Sequence, residues 1–472
     1  MEVFGAADAA AFRRAAEASI AYREGLGARP IGPAADYPAK LAALDAPLPE
    51  RGMASDAVLE ALVAAGAGGL MDMASPRFLG WVIGAAHPAG TAADMLVAGW
   101  SQVATMATPT PTASALEEIS GRWLIELLRL PPECSFGLCT GATVANAVAL
   151  AAARNEVLRR VGWDVEARGL FGAPEITVVV GAEVHSSVRV ALRMLGLGDE
   201  RVRIAAADDQ GRMLPVALDA ELRGVAGPAI VIAQAGNINS GALDPMAPIA
   251  DLAAGAGAWL HVDGAFGLWA NAHPELWDQA EGVERADSWA VDGHKWLQVP
   301  YDCGFVFVRD GAAHKRAMGH SAAYLPNSET LRDPGDYVPE LSRRARGVPV
   351  WAVLKALGRE GVLEVIGRCC RLARGMADRL GQQPGITVLN EVRLNQVALS
   401  FGPEGPEGDA MTRAVLQRVQ AEGACYPSHG QWRGRQTIRL SVSGFATSEA
   451  DADIAVAAIL AAWEAVRAER DA

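Results

Sequence analysis

Four lysines (Lys40, Lys295, Lys315 and Lys355) stand against 38 arginines in this 472-residue chain, and one of the four falls in Asp292-Gly293-His294-Lys295-Trp296-Leu297. A guanidinium stays protonated and cannot form a Schiff base. An amine among apolar and aromatic neighbours loses its proton at modest cost and attacks a carbonyl. Taken alone, Lys295 also suits a surface loop with its stem laid along apolar neighbours. The strand-like Trp259-Leu260-His261-Val262-Asp263-Gly264-Ala265 shifts the weight, because it places Asp263 32 residues before the lysine. An aspartate at the carboxyl end of one strand and a lysine at the end of the next are the pair that pyridoxal phosphate chemistry requires. The amine holds the aldehyde, and the carboxylate keeps the pyridine nitrogen protonated.

A third element is Cys139-Thr140-Gly141-Ala142-Thr143, which opens a long Ala-rich helix. Small residues there let backbone N–H groups approach an anion at the helix's positive end, and the two threonine hydroxyls add donors. Small residues also start helices for packing reasons; beside Asp263 and Lys295, a phosphate cradle is the expected function. His185, in Glu183-Val184-His185-Ser186-Ser187, follows a predicted strand and points toward the same crevice. It suits a hydrogen-bonded loop residue, or an imidazole stacked on a cofactor ring and passing protons.

These residues need rigid elements to bring them together. From about 81 to 350, apolar runs at 176–180, 229–233, 259–262, 289–291 and 304–308 alternate with helical stretches. That is the pattern of a mostly parallel sheet covered on both faces, with its ligand beyond the strands' carboxyl ends. Ser114-Ala115-Leu116-Glu117 reads as a capping box that opens a helix. Residues 1–80 read as helices joined by Pro/Gly linkers, too thin to fold alone, and 351–472 as a smaller α/β domain.

Composition narrows the classes further. Hydrophobic residues make up 51% and charged ones 21%, enough for a large core, and the formal net charge of −13 argues against general binding to nucleic acid or anionic membranes. No run reaches the roughly 18 apolar residues of a membrane span, and the start lacks a basic signal-peptide region, so a soluble cytoplasmic protein is expected. The six cysteines show no C-x-x-C pair and no H-E-x-x-H occurs; reduced packing thiols, and no metal, are expected.

The segment from Asp292 to Trp296, followed by Val299-Pro300-Tyr301-Asp302-Cys303-Gly304, resembles the cofactor-lysine motif of the group II pyridoxal phosphate decarboxylases, the family of aromatic L-amino-acid, histidine and glutamate decarboxylases. His261-Val262-Asp263-Gly264-Ala265-Phe266 is similar to its aspartate strand, His185-Ser186-Ser187 to its ring-stacking segment, and Gly141-Ala142-Thr143 to its phosphate loop. The resemblance runs from Ser75-Pro76-Arg77-Phe78 to Arg439-Leu440-Ser441-Val442-Ser443, nearly the whole chain. It implies a fold type I α/β architecture and a homodimer with interface active sites, each N-terminal segment embracing the partner. It also implies that Lys295 carries the cofactor and Asp263 meets the pyridine nitrogen. Ala265 and His185 would lie on opposite ring faces, with Gly141, Ala142, Thr143 and His294 on the phosphate. Asn237 stands about where relatives carry a threonine near the cofactor.

The same resemblance makes the reaction decarboxylation of an L-amino acid. The proton would come from a tyrosine on the loop 324–344: Tyr337 matches best, and Tyr324 stays open. If no tyrosine serves, chemistry with oxygen or water diverts the product toward an aldehyde; transamination and carbon–carbon lysis are further alternatives, as is a non-catalytic relative. Trp81 and Phe78 fall in a segment that helps form the substrate pocket in relatives, and an aromatic wall there suits an aromatic substrate. Arg343, Arg344 and Arg346 either bind an acidic side chain or anchor the loop.

Overall fold

Runs of Val, Ile, Trp and Phe bounded by Gly, Asp and Pro become strands in the computed structural model, which describes residues 4–320 and 331–471. In chain order the strands are β1 (Phe78–Leu79), β2 (Ser135–Cys139), β3 (Thr177–Gly181), β4 (Arg203–Ala205), β5 (Ala229–Gln234), β6 (Trp259–Asp263), β7 (Ser288–Asp292), β8 (Gly304–Val308), β9 (Ile386–Val388), β10 (Gln396–Phe401), β11 (Tyr426–Trp432) and β12 (Arg435–Ser441). Seven of them form one sheet in the order β2-β8-β7-β6-β5-β3-β4. The run from β4 to β7 is parallel, while β8 lies antiparallel to both β7 and β2.

In β5, Ile230 and Ile232 enter the apolar cluster on one face, and Val231 and Ala233 the cluster on the other. All four are buried. A strand covered on both sides has no solvent face to alternate with, which is why these runs are continuously apolar.

The first helices are α1 (Ala6–Glu24), α2 (Tyr37–Leu44), α3 (Ser55–Gly66), α4 (Pro88–Gly99), α5 (Pro111–Leu127) and α6 (Ala142–Arg159). α6 lies along β6, β7 and β8. Ala145, Ala149, Ala152 and Ala153 on it are fully buried, and side chains no longer than a methyl let the helix approach the sheet closely. α5 begins one turn before the expected capping box, because Pro111 fills the first turn, where its missing N–H costs nothing. Ser114 instead donates to Met106 O, and Glu117 turns inward to pair with Arg343 at 2.7 Å, both side chains fully buried.

The second sheet runs β1-β11-β12-β10-β9. β1, from the N-terminal part, pairs parallel with β11, Phe78 opposite Tyr426. The long helix Gly347–Gly381 connects the two sheets and departs from helical geometry at Gly358, where φ is 61°. Among the described residues no helix is long and apolar enough to cross a membrane.

Candidate active site

β6 ends at Asp263 and β7 at Asp292, neighbouring parallel strands whose carboxyl ends open on one crevice. Beyond β7 the chain turns through Gly293, His294 and Lys295. The Gly293 and His294 N–H groups both donate to Cys303 O, at 3.0 and 3.1 Å. Gln298, fully buried, braces this turn by donating through Nε2 to Lys295 O at 3.1 Å and to Ser443 O. Gly84 passes so close that a Cβ there would lie 1.9 Å from Lys295 O. The lysine's backbone is therefore held from three sides, and its side chain lines the crevice.

Facing it is a cavity of about 320 Å³ lined by Thr140, Gly141, Ala142, Thr143, His185, Ser187, Ala265, Asp292, His294 and Lys295. The fold thus brings together residues spread over 155 positions of sequence, Thr140 to Lys295. β2 delivers Gly141 to the start of α6, and Gly304 of β8 must be glycine because a Cβ there would lie 2.5 Å from Gly141 Cα. A Cβ on Gly141 would in turn meet His294 Cε1 at 3.1 Å and Asp292 Oδ1 at 3.3 Å, so that corner admits backbone and ligand only.

Asp263 is 3% exposed; Oδ1 accepts from Ala265 N at 3.2 Å and Oδ2 from Ser187 Oγ at 3.5 Å. Burial pushes its carboxyl pKa up, opposed by the charges of His185 and Lys295. A cationic partner is what such a group lacks, and a protonated ring nitrogen is one. His185 caps the helix Ser186–Met194, with Nδ1 accepting from Ser187 N at 3.3 Å and lying 2.8 Å from Ser187 Oγ. Desolvation lowers its pKa. With Nδ1 occupied as an acceptor, the ring proton sits on Nε2. His294 is fixed in the same way, Nδ1 accepting from Cys303 N at 3.1 Å, so its Nε2–H is a donor at the cradle.

A buried polar chain ties the cradle to the strands. His261 on β6 lies 2.8 Å through Nε2 from Asn146 Oδ1 on α6 and 2.9 Å through Nδ1 from Ser288 Oγ on β7. Its pKa is driven to about 3 by burial, so it stays neutral.

Four expected residues lie elsewhere. Asn237 is 1% exposed and spends its amide on Glu183 Oε2 at 2.8 Å and on the N–H groups of Asn239 and Ser240; it shapes its own loop and does not line the cavity. Phe78 is 2% exposed in β1, stacked on Tyr426, because strand pairing draws it into the core. Tyr337 packs on β2: its carbonyl lies 2.9 Å from His314 Nε2 and its ring lies 4.4 Å under the Arg332 guanidinium. Tyr337 thus lies away from the cavity lining of its own chain; Tyr324 lies outside the described residues. Trp81 is 44% exposed, beside Phe78 and Tyr426 rather than in the cavity lining. The three arginines are anchors, Arg343 to Glu117, Arg344 to Asp94 and Arg346 to Asp302.

Sequence reasoning gave no role to Asp292, although it quoted it, to Ser187, to Gln298 or to Arg439. The signal available for Asp292 was a carboxylate three residues before the reactive lysine, at the end of the strand beside Asp263.

A lysine, a buried carboxylate on the neighbouring strand and a helix N-terminus around one cavity fit a ring that bears an aldehyde, a basic nitrogen and a phosphate. That combination defines a pyridoxal phosphate enzyme of fold type I. Residues 38–401 match the family described as the pyridoxal-dependent decarboxylase conserved domain. Tyrosine decarboxylase 2 of Arabidopsis thaliana is 28% identical over 400 residues, 81% of this chain and 72% of the relative. Phenylacetaldehyde synthase of the same plant is 27% identical over 400 residues, 81% and 80%. The crystal structure of Oryza sativa TDC with PLP and tryptamine superposes with a TM-score of 0.88 at 24% identity, covering 99% of this chain and 98% of that one. The chain belongs to the pyridoxal-dependent decarboxylase family, enzymes that use pyridoxal phosphate to decarboxylate amino acids.

Proposed function

We propose that this enzyme converts an L-amino acid, an aromatic one by preference, into the primary amine and carbon dioxide. Bound pyridoxal phosphate supplies the electron sink for the bond that breaks. Lys295 would hold its aldehyde carbon and Asp263 its ring nitrogen; Ala265 and His185 would pack on the ring, and Gly141, Ala142, Thr143 and His294 would hold the phosphate.

Arg439 is the observation that carries the reading. It is 8% exposed, burial pushes its pKa down to about 10, Nη1 reaches only Asn239 Oδ1 at 3.4 Å, and Nε has no partner. No carboxylate pairs with it among the described residues. A buried cation without a counter-ion favours an incoming anion, and the α-carboxylate of an amino acid supplies one. Arg439 is among the charges that act on His185, whose pKa desolvation lowers most. His185 Nε2–H then stands ready to hold or hand on a proton.

The preference for an aromatic side chain is supported by the relative named for tyrosine and by the similar solved structure that holds tryptamine. A homodimer is part of the reading. Phe12, Leu62 and Leu96 on α1, α3 and α4, and Trp100 just after α4, are 49 to 64% exposed, an apolar surface that a second copy would cover. A cytoplasmic location fits the six buried, unpaired thiols.

One observation favours a second reading, aldehyde formation. No tyrosine among the described residues lines the cavity, and a relative is named for phenylacetaldehyde synthesis. Mass spectrometry of products from a panel of aromatic, acidic and basic L-amino acids decides. Amine and carbon dioxide are expected; aldehyde, ammonia and hydrogen peroxide alongside the carbon dioxide, with consumption of dioxygen and water, would replace the first reading by the second. Lys295→Ala is the control, and borohydride should then no longer fix cofactor to the chain.

A further inference from the structure

Asp292 holds two of the groups assigned to the phosphate, and with them the lysine assigned to the aldehyde. Its side chain is 4% exposed. Oδ1 accepts from Ala142 N, at the first residue of α6, at 2.6 Å and lies 3.4 Å from His294 Nε2; Oδ2 lies 2.9 Å from Lys295 Nζ. The N-terminus of an 18-residue helix, an imidazole N–H and an ammonium thus converge on one carboxylate. These are donors that select for an anion and do not distinguish a carboxylate from a phosphate.

We propose that Asp292 is a built-in competitor for the cofactor's phosphate, so that loading requires its carboxylate to leave the Ala142 N–H and to release Lys295. Two anions cannot share one amide, and in a corner closed by Gly141 their repulsion is poorly screened. The ion pair also occupies the amine that must meet the aldehyde. Asp292 therefore acts as a positioning residue that sets how tightly and how fast the cofactor loads. The inference rests on the assignment of the phosphate to Gly141, Ala142 and His294.

The test uses cofactor-free protein prepared from the holoenzyme. Dissociation constants and loading rates are read from tryptophan fluorescence for pyridoxal phosphate and for pyridoxal, which has the ring and aldehyde without the phosphate. Asp292→Asn should tighten pyridoxal phosphate by roughly tenfold or more while pyridoxal changes less than about threefold, and inorganic phosphate should compete with loading at roughly tenfold lower concentration. Asp292→Ser, smaller and equally uncharged, should move in the same direction. Unchanged or weakened pyridoxal phosphate binding in both variants overturns the proposal, as does equal tightening of both ligands, which would place the effect on Lys295 alone. Gly141→Val separates the two assumptions. If it weakens pyridoxal phosphate but not pyridoxal while the Asp292 variants do nothing, the cradle stands and the competition fails. If neither substitution matters, the phosphate is held elsewhere and both fail.

Discussion

His261 Nε2 lies 2.8 Å from Asn146 Oδ1, joining the strand that carries Asp263 to the helix whose N-terminus forms the phosphate corner. Both residues are fully buried, so cradle and carboxylate are spaced by one side-chain bridge rather than by loop packing.

The bridge makes the fold acid-sensitive. Burial holds the folded-state pKa of His261 and of His314 near 3, below the ordinary 6.5. Each is neutral when folded and takes up a proton when unfolded, so its contribution is fully present above pH 6.5 and is lost as pH falls toward 3. By pH 5 each costs about 2 kcal/mol. Urea unfolding between pH 7 and 5 should show stability falling with an uptake of up to two protons. His314→Gln should remove about one of them.

Arg439→Gln should raise KM for the amino acid, lowering kcat/KM by roughly 10- to 100-fold, the worth of a charge-assisted hydrogen bond to a carboxylate. Cofactor absorbance should be unchanged, because the arginine does not line the cradle. A parallel loss of cofactor would show that Arg439 supports the fold and not the substrate.

The Glu117 to Arg343 pair at 2.7 Å is fully buried, with Arg332 3.9 Å from the same carboxylate. Glu117→Gln leaves two cations without their counter-charge and should cost about 3–5 kcal/mol in chemical denaturation. Because Arg343 also donates to Ala104 O at 2.7 Å, the 331–346 segment should lose protection from proteolysis first.

The core strands β3, β5, β6, β7 and β8 are legible in the sequence because each is an apolar run bounded by Gly, Asp or Pro. β2, with Gly137 and Ser135, β4, only three residues long, and β11, with Pro427 and Gly430, are not. β2, β4 and the Tyr426–Pro427 end of β11 lie at or near sheet margins, where pairing rather than local propensity makes the strand. Lys295, Asp263, His185 and the Gly141 turn announce their chemistry by residue type and by position after a strand. Phe78, Asn237 and Tyr337 could not be placed in this way. An aromatic ring serves a core or a pocket equally well, an amide closes a loop or touches a ligand, and a loop tyrosine goes where its anchors take it.

The core strands and the reactive residues at their ends were determined by the sequence itself, since periodicity and chemical type are local properties. Only the tertiary structure decided which donors meet which acceptors: that Asp292 rather than solvent holds Lys295, that Glu117 turns inward to two arginines, and that Arg439 is buried without a carboxylate. Those are long-range distances, and charge in a low-dielectric interior makes them decisive.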